Sequence, residues 1–254
     1  MSSELKKWFV VVLFLLAAAW FFIPIGAPAE KSLLFSLRLA LPAALLALGG
    51  IGLLPWLMTA GFLFCAVGDT MGVLGSFEGQ MAGFAISHVC FIAWLTKQIA
   101  SPLPLLKEGE RITSARDPFP LGRDWRVGFS SPYIYITPLC FLPLFFAAVR
   151  IIPAIPDTPI RVGCVIYALL LTGTMWTAWL RMASSARPRR WPLLTALGAT
   201  LFLVSDFVLA WNKFLASVPS SRILIMTTYY AALLLLFMGE ARNYEKKSHF
   251  RVKK

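Results

Sequence analysis

Eight long apolar runs dominate the sequence, and each approaches the roughly 20 residues that a helix needs to cross about 30 Å of hydrocarbon. They cover approximately residues 8–23, 33–50, 55–74, 81–95, 133–151, 160–182, 191–211 and 223–240. The runs are continuous, whereas the strands of a membrane barrel alternate apolar and polar side chains. We therefore predict an all-α fold: a polytopic bundle of eight transmembrane helices, with residues 1–254 forming a single integral membrane domain.

The composition excludes an ordinary soluble domain. Hydrophobic residues make up 58% of the chain and charged residues only 14%, and the mean hydropathy is +0.73. These values lie well outside the usage of soluble proteins. Most side chains are therefore expected to face lipid or other helices.

The basic residues are sorted by side of the membrane, which explains the net charge of +12 without a nucleic-acid partner. If the N-terminus is cytoplasmic, 18 of the 24 Lys and Arg residues lie on that side and 5 on the other. This bias and the even helix count predict that both termini are cytoplasmic, in the cell (inner) membrane if the protein is bacterial. The polar segment 97–132 is expected to be a cytoplasmic loop, and the basic cytoplasmic tail 241–254 to contact anionic lipid.

The first run also has features of a cleaved signal peptide. Lys6 and Lys7 precede it, and Ala27–Ala29 resembles a small-residue cleavage site. Its removal would leave seven helices and place the termini on opposite sides of the membrane, against the charge distribution.

Metal and cofactor chemistry have little support in the sequence. The four cysteines stand singly within predicted spans, and there are only two histidines. A catalytic zinc site needs about three His or carboxylate ligands, so we predict no metal and no cofactor.

Two spans carry a similar sequence. The segments Gly61–Asp69 and Gly198–Asp206 share a glycine, a valine, a small residue and a final aspartate at the same offsets. In an eight-helix protein the third and seventh spans run in the same direction, as two parallel four-helix repeats would place them.

The aspartates Asp69 and Asp206 are the main candidates for function. A charged group inside a membrane costs several kcal/mol, roughly 2.5 to 3.5 on insertion scales, so its presence there indicates a function. Each lies about 21 to 22 Å from the cytoplasmic end of its span, which places both at one depth in the outer half. The structural alternative is that each carboxyl only makes a hydrogen bond between helices.

Basic and aromatic residues near the outer surface suggest a phosphate site. Lys213 follows Asp206 by seven residues on the same helix face, and Arg222 precedes Tyr229 by seven residues. Lys213 and Arg222 would form a basic rim able to hold a phosphate. Alternatively, both cations only mark the membrane interface. In the fourth span, His88 is predicted to be a proton carrier or a partner for Asp69; alternatively, it only makes a hydrogen bond between helices.

These residues resemble those of the lysoplasmalogenase (YhhN-like) family of eight-helix membrane proteins. The resemblance is carried by Ala66–Asp69, Ile86–His88, Val204–Asp206, Trp211–Lys213 and Ser221–Tyr230. It implies hydrolysis of the vinyl ether bond of lysoplasmalogens, a class of lysophospholipid, to a fatty aldehyde and a glycerophospho-alcohol. It also implies that Asp69 and Asp206 are the catalytic pair. The predicted substrate-binding residues are Lys213, Arg222, Tyr229, Asn212, His88 and Tyr230.

This chemistry fits two carboxyl groups. Protonation of the alkene carbon gives an oxocarbenium ion, and water addition then gives a hemiacetal that collapses to the products. One carboxyl would supply the proton while the other, ionised, stabilises the cation and orients water.

Two other functions remain open on the sequence alone. A proton-coupled transporter would also place acids and a histidine within the membrane. A non-catalytic lipid-binding or scaffolding protein would need only the cations at the interface.

Overall fold

The computed structural model of the chain describes residues 2–23, 33–100, 133–184 and 190–252. These residues form eight α-helices, and no β-strand occurs among them. The helices are α1 (Ser3–Phe22), α2 (Leu33–Gly50), α3 (Trp56–Val73), α4 (Phe77–Ala100), α5 (Tyr133–Phe146), α6 (Thr158–Ser184), α7 (Arg190–Phe214) and α8 (Ser221–Val252). Within the described ranges, seven helical segments are long and apolar enough to cross a membrane, and α2 adds a shorter apolar stretch, Arg38–Gly50. The predicted polytopic all-α bundle is confirmed.

Polar caps extend some helices beyond the apolar runs. The Ser76 hydroxyl accepts a hydrogen bond of 3.0 Å from the backbone N–H three residues later, so α4 begins at Phe77 and not near residue 81. The Asp157 carboxylate accepts one of 2.9 Å in the same way at the start of α6. These bonds satisfy N–H groups that would otherwise lack a partner in the first helical turn.

Two predicted polar segments begin as helix. Residues 97–100 of the predicted cytoplasmic loop belong to α4, and residues 101–132 lie outside the described residues. The predicted tail also starts as a continuation of α8, which extends to Val252. The last apolar run is therefore part of a longer helix.

Helix α5 changes its geometry along its length. It contains Pro138 and Pro143, and it continues as a π-helical segment, Ala147–Ile151, and then a 3₁₀ turn, Ile152–Ala154. Proline removes a backbone donor and clashes with the preceding turn, and π segments are often found at functional sites. The predicted fifth span is thus helical throughout, but only its first part is α-helix.

The helices form a closed ring. In the order α1, α2, α3, α4, α6, α7 and α8, each packs against the next, and α8 contacts α1 and α2. Helix α5 packs against α6, and its π segment reaches α7. Large apolar side chains on α5 are exposed, including Leu139 (70%) and Phe145 (68%). Such exposure is expected of a helix that faces lipid.

The two chain termini lie at one end of the bundle. The Lys6 ammonium, near the start of α1, is 2.5 Å from the carbonyl oxygen of Ile51, which follows α2. At the opposite end, the Arg222 guanidinium at the start of α8 lies 4.9 Å from the ring of Phe21 at the end of α1. We call this opposite end, which contains the α3–α4 and α7–α8 turns, the distal end.

Glycines allow the close approach of two helix pairs. A Cβ added to Gly83 of α4 would lie 2.7 Å from the backbone nitrogen of Gly68 in α3. A Cβ added to Gly198 of α7 would lie 2.9 Å from the carbonyl oxygen of Ala232 in α8. Because the opposing atoms belong to the backbone, larger residues would push the helices apart. These contacts fix α3 and α7, the helices that carry the two aspartates.

The matched glycines of the two similar segments face equivalent neighbours. A Cβ on Gly61 of α3 would meet the ring of Phe91 in the following helix, α4. A Cβ on Gly198 of α7 would likewise meet Leu236 in its following helix, α8. This correspondence is what a parallel repeat would produce, although the repeat itself stays a prediction.

A buried polar network joins four helices near the terminal end. The Glu240 carboxylate of α8 accepts hydrogen bonds from the Arg181 guanidinium, from the Thr195 hydroxyl at 2.7 Å and from the Trp94 indole at 2.7 Å. Arg181, near the end of the predicted sixth span, belongs to α6 and is buried. The ion pair satisfies two charges that would be costly to bury separately.

Arg38 has a structural role at the distal end of the bundle. Its guanidinium is buried and donates to the carbonyl oxygens of Trp20, Phe21 and Ile23. These carbonyls lie at the end of α1, where they have no partner within the helix. This charge in the second span therefore caps α1.

Candidate active site

Asp206 lies on α7 and is buried, with 7% of its surface exposed. Its Oδ2 accepts a hydrogen bond from the hydroxyl of Tyr167 on α6. Asp206 also lines a crevice between α4, α5, α6 and α7. Asp206 is therefore both held by a neighbouring helix and open to a space that a ligand can enter.

Asp69 lies on α3 and is also buried, with 3% of its surface exposed. Its Oδ2 accepts a hydrogen bond of 2.9 Å from the Tyr229 hydroxyl on α8. Unlike Asp206, it is absent from the residues that line the crevice. The two aspartates thus have similar burial but different access.

An aromatic cluster lies beside both aspartates. The ring of Phe202 is 5.3 Å from that of Tyr229, 5.8 Å from that of Phe84 and 4.7 Å from that of His88. The two carboxyl groups still lie within electrostatic range of each other. The tertiary fold therefore brings the two predicted acids into one region.

His88 is fully buried on α4. Its Nδ1 lies 3.0 Å from the Thr174 hydroxyl, and its Nε2 lies 3.5 Å from the Tyr167 hydroxyl. Its hydrogen-bonding neighbours are thus on α6 rather than on α3. The structure places His88 next to the partner of Asp206, whereas the sequence had suggested a partnership with Asp69.

The crevice beside Asp206 encloses about 790 Å³, part of it open to the outside. Its walls are largely apolar, and the π segment of α5 forms one side. The lining residues include Phe77, Gln80, Met81, Phe84, Pro143, Ile151, Leu171, Leu203, Phe207 and Phe214. Its apolar lining is typical of small-molecule sites and suits a hydrocarbon chain.

Lys213 stands at the distal end of this crevice. Its ammonium lies 4.4 Å from the centre of the Phe77 ring and 5.9 Å from that of the Phe214 ring, and both rings line the crevice. The side chain is exposed. Lys213 follows Asp206 by about two helical turns, or roughly 10 Å. Lys213 is itself not among the lining residues, but its ammonium lies over two rings of the crevice wall, on the same helix as Asp206.

Arg222, the other cation of the predicted rim, lies elsewhere. It is exposed and lies over Phe21 of α1, and it is not among the residues lining the crevice. The structure therefore does not bring Lys213 and Arg222 together beside Asp206.

Asn212 and Tyr230 also contact parts of the fold outside the crevice. The Asn212 side-chain oxygen accepts a hydrogen bond of 2.9 Å from the backbone N–H of Val218, in the turn after α7. The Tyr230 hydroxyl donates to the carbonyl oxygen of Leu39 on α2 at 3.1 Å. Asn212 thus stabilises the turn between α7 and α8, and Tyr230 stabilises the packing of α8 against α2.

Tyr167 is the site residue that the sequence analysis missed. It begins a polar face on α6 that continues with Thr174, Thr177 and Arg181, at 7, 10 and 14 residues further on. These four residues recur at helical spacing within a strongly apolar span. That pattern could have identified α6 as a helix facing the site.

Within the described ranges, no group of three or more His, Cys, Asp and Glu side chains is placed to hold a metal ion. The arrangement offers two carboxyl groups, two tyrosine hydroxyls and a buried imidazole. Such groups can exchange protons with a substrate and can stabilise a cation in a low-dielectric environment.

Comparisons with known proteins cover nearly the whole chain. Residues 123–239 match the YhhN family. Lysoplasmalogenase TMEM86B of Mus musculus is 27% identical over 252 residues, which cover 97% of this chain and 92% of the mouse protein. The corresponding human protein is 29% identical over 196 residues, covering 75% of this chain and 74% of its own.

A second group of relatives matches over a shorter stretch. Lysoplasmalogenase TMEM86A of Homo sapiens is 37% identical over 90 residues, or 35% of this chain and 38% of its own length. No solved structure matches the chain. The resemblance noted in the sequence is confirmed: residues 123–239 match the YhhN family, and a protein named lysoplasmalogenase aligns with nearly the whole chain.

Proposed function

We propose that this protein is a membrane hydrolase that cleaves the vinyl ether bond of lysoplasmalogens to a fatty aldehyde and a glycerophospho-alcohol. Its similarity to proteins named lysoplasmalogenase supports the reaction. The structural observation that supports the proposal is that Asp206 lines an apolar crevice, while the Lys213 ammonium lies over Phe77 of the crevice wall. A single-chain lipid with a phosphate headgroup has the matching distribution of apolar and charged parts.

The substrate would enter the crevice with its alkenyl chain among the side chains of α4, α5, α6 and α7. Its phosphate would meet the Lys213 ammonium, since Lys binds phosphate as a point charge. The vinyl ether would then lie deeper, beside Asp206. The roughly 10 Å between these residues along α7 leaves room for the glycerol backbone.

The chemistry would begin with proton transfer from the Asp206 carboxyl to the alkene carbon farther from oxygen. This step gives an oxocarbenium ion and an Asp206 carboxylate. Water then adds to the cationic carbon and gives its proton to Asp206, which forms a hemiacetal. Transfer of the hemiacetal proton to the glycerol oxygen breaks the carbon–oxygen bond and releases aldehyde and alcohol. One water is consumed, and the enzyme returns to its starting state.

Asp69 would act at a distance in this scheme. It does not line the crevice but lies within electrostatic range of Asp206. When ionised, its carboxylate would stabilise the neighbouring oxocarbenium ion, and the apolar surroundings would strengthen that attraction. The proposal therefore keeps the two predicted acids but gives them different tasks.

The orientation in the membrane belongs to the same proposal. With both termini cytoplasmic, the crevice would open toward the outer half of the membrane, and the basic end of α8 would lie near anionic lipid on the cytoplasmic side. Accessibility labelling of cysteines introduced at Ser2 and Ser217 in intact cells would test this: Ser217 in the distal turn should react from outside, and Ser2 should not.

The transporter alternative has less structural support. Transporters built from repeats usually contain broken helices at corresponding positions of the two halves. Here the interruption in the described residues of the second half is in α5, while its counterpart α1 is α-helical from Ser3 to Phe22. Proton-driven uptake of a solute into liposomes would nevertheless favour transport.

The test is an aldehyde-release assay with purified protein in detergent and in liposomes. The substrates are a lysoplasmalogen and its ester analogue, and the variants are Asp206→Asn, Asp69→Asn and Thr200→Val as a matched control. The control removes a 3.0 Å hydrogen bond between Trp179 of α6 and Thr200 of α7, neither of which lines the crevice. We expect aldehyde only from the vinyl ether. If wild-type protein releases none, the proposed function is wrong. If both aspartate variants retain wild-type rates, the enzyme stands but its mechanism fails.

A further inference from the structure

The Tyr167 hydroxyl lies between two groups that can accept a hydrogen bond from it. It donates to Oδ2 of Asp206, and it lies 3.5 Å from Nε2 of His88. A tyrosine hydroxyl has one hydrogen but can also accept a hydrogen bond through its oxygen. Tyr167 can therefore donate to one neighbour while it accepts from the other.

The surroundings of His88 determine whether Nε2, the nitrogen that faces Tyr167, is a hydrogen-bond acceptor. The Thr174 hydroxyl donates its only hydrogen to the carbonyl oxygen of Leu170, at 3.1 Å. Its oxygen is then available to accept from Nδ1–H of His88, at 3.0 Å. In a neutral imidazole with hydrogen on Nδ1, Nε2 is an acceptor. Nε2 of His88 can thus accept a hydrogen bond from the Tyr167 hydroxyl.

We propose that Tyr167 is a positioning residue whose hydroxyl hydrogen points to Asp206 when that carboxyl is ionised and to His88 when it is protonated. In the ionised state, Asp206 accepts from Tyr167. In the protonated state, the carboxyl O–H donates to the tyrosine oxygen, and the tyrosine donates to Nε2. This inference rests on the proposed function, in which Asp206 gives and regains one proton in each turnover.

The need for this arrangement follows from burial. Asp206 and His88 are buried and Tyr167 is half-buried, and the His88 ring packs against those of Phe202 and Tyr167. A buried polar group without a partner costs about 1 to 3 kcal/mol. A fixed donor would satisfy the carboxylate but leave the protonated carboxyl unsatisfied, and a fixed acceptor would do the reverse. A hydroxyl with a second acceptor behind it satisfies both states without movement of a helix.

The kinetic test uses the full-length protein with Tyr167→Phe, His88→Leu and His88→Gln, with Thr200→Val as the control. We expect Tyr167→Phe to lower kcat about 10- to 100-fold, with KM changed less than about threefold, because the hydroxyl acts through Asp206. His88→Leu should lower kcat as well. His88→Gln should recover most of that loss, since the amide oxygen can accept from Tyr167.

A double-variant cycle separates this role from simple packing. If His88 acts through Tyr167, Tyr167→Phe combined with His88→Leu should be about as slow as Tyr167→Phe alone. Losses that multiply would contradict the proposal, as would a His88→Gln variant no faster than His88→Leu. Thermal unfolding of each variant, measured beside kcat, shows whether lost activity only follows lost stability.

Infrared spectroscopy tests the same inference without substrate. The C=O band of protonated Asp206, assigned by its loss in Asp206→Asn, should shift in Tyr167→Phe and in His88→Leu. Tyr167 contacts Asp206 directly, and Asp69 and Cys65 lie within electrostatic range of it. Asp69→Asn identifies the band of the other carboxyl. An unshifted band, or no band at any pH at which the protein stays folded, would overturn the proposal. Absence of aldehyde from wild type, with the expected shifts present, would instead reject only the enzyme function.

Discussion

The Asp69 carboxylate and the Tyr229 hydroxyl form a buried hydrogen bond of 2.9 Å between α3 and α8, outside the lining of the crevice that Asp206 borders. The two aspartates are therefore not interchangeable. Asp206 lines the crevice, while Asp69 faces α8, the helix that closes the ring. This difference leads to the first prediction.

Asp206→Asn should abolish proton transfer and lower kcat by about 10² to 10⁴, the usual contribution of a general acid or base. Asp69→Asn keeps an oxygen that can accept from Tyr229 and loses only the charge, so we expect a smaller fall. Steady-state aldehyde release measures both. Equal losses in kcat would show that Asp69 also takes part directly in proton transfer.

Tyr229→Phe should destabilise the protein by about 1 to 3 kcal/mol, because it removes the hydroxyl that donates to the buried Asp69 carboxylate. Tyr230→Phe is the matched comparison, since its hydroxyl donates to the backbone carbonyl of Leu39 at 3.1 Å. Unfolding in detergent with increasing denaturant gives both values. A larger effect for Tyr230→Phe would contradict the importance assigned to the Asp69 contact.

Lys213→Gln should raise KM for a phosphate-bearing substrate about 2- to 5-fold, which is typical of a solvent-exposed charge pair, and leave kcat nearly unchanged. Lys213→Arg should retain most of the affinity. Arg222→Gln should have a smaller effect, because Arg222 lies over Phe21 and does not border the crevice. If Arg222→Gln raises KM more than Lys213→Gln, the phosphate binds nearer to α8 than proposed.

Gly83→Ala should destabilise the bundle by about 1 to 3 kcal/mol, as expected for overpacking. The new methyl would meet the backbone of Gly68, which directly precedes Asp69. Gly173→Ala is the control: its methyl would meet only the end of the Ile92 side chain, at 3.3 Å. Thermal unfolding should separate the two, and activity of Gly83→Ala should fall if α3 is displaced.

Arg181→Met should destabilise the protein by about 3 to 5 kcal/mol, because it leaves the buried Glu240 carboxylate without its ion-pair partner. Adding Glu240→Gln should restore much of that stability, since the neutral amide oxygen can still accept from Trp94 while its NH2 group can donate to the Thr195 hydroxyl. Denaturant unfolding of the single and double variants provides the comparison. If the double variant is less stable than Arg181→Met alone, the unpaired Glu240 charge is not what destabilises the protein.

The number and approximate positions of the helices could be predicted from the sequence because hydropathy over about 20 residues is a local property. The same reasoning identified Asp69 and Asp206, since a charge within an apolar run stands out without knowledge of its neighbours. It also predicted Lys213 above Asp206, because residues seven apart on one helix share a face. All three predictions depend on a single helix at a time.

Contacts between helices were decided only by the tertiary structure. The sequence paired His88 with Asp69 and Lys213 with Arg222, whereas the fold places His88 beside Tyr167 and Arg222 beside Phe21. Which residues meet depends on the rotation of each helix about its axis and on which neighbours it contacts, and close glycine packing sets both in this bundle. The two aspartates were thus visible in the sequence, but only packing exposed Asp206 to the crevice and turned Asp69 toward Tyr229.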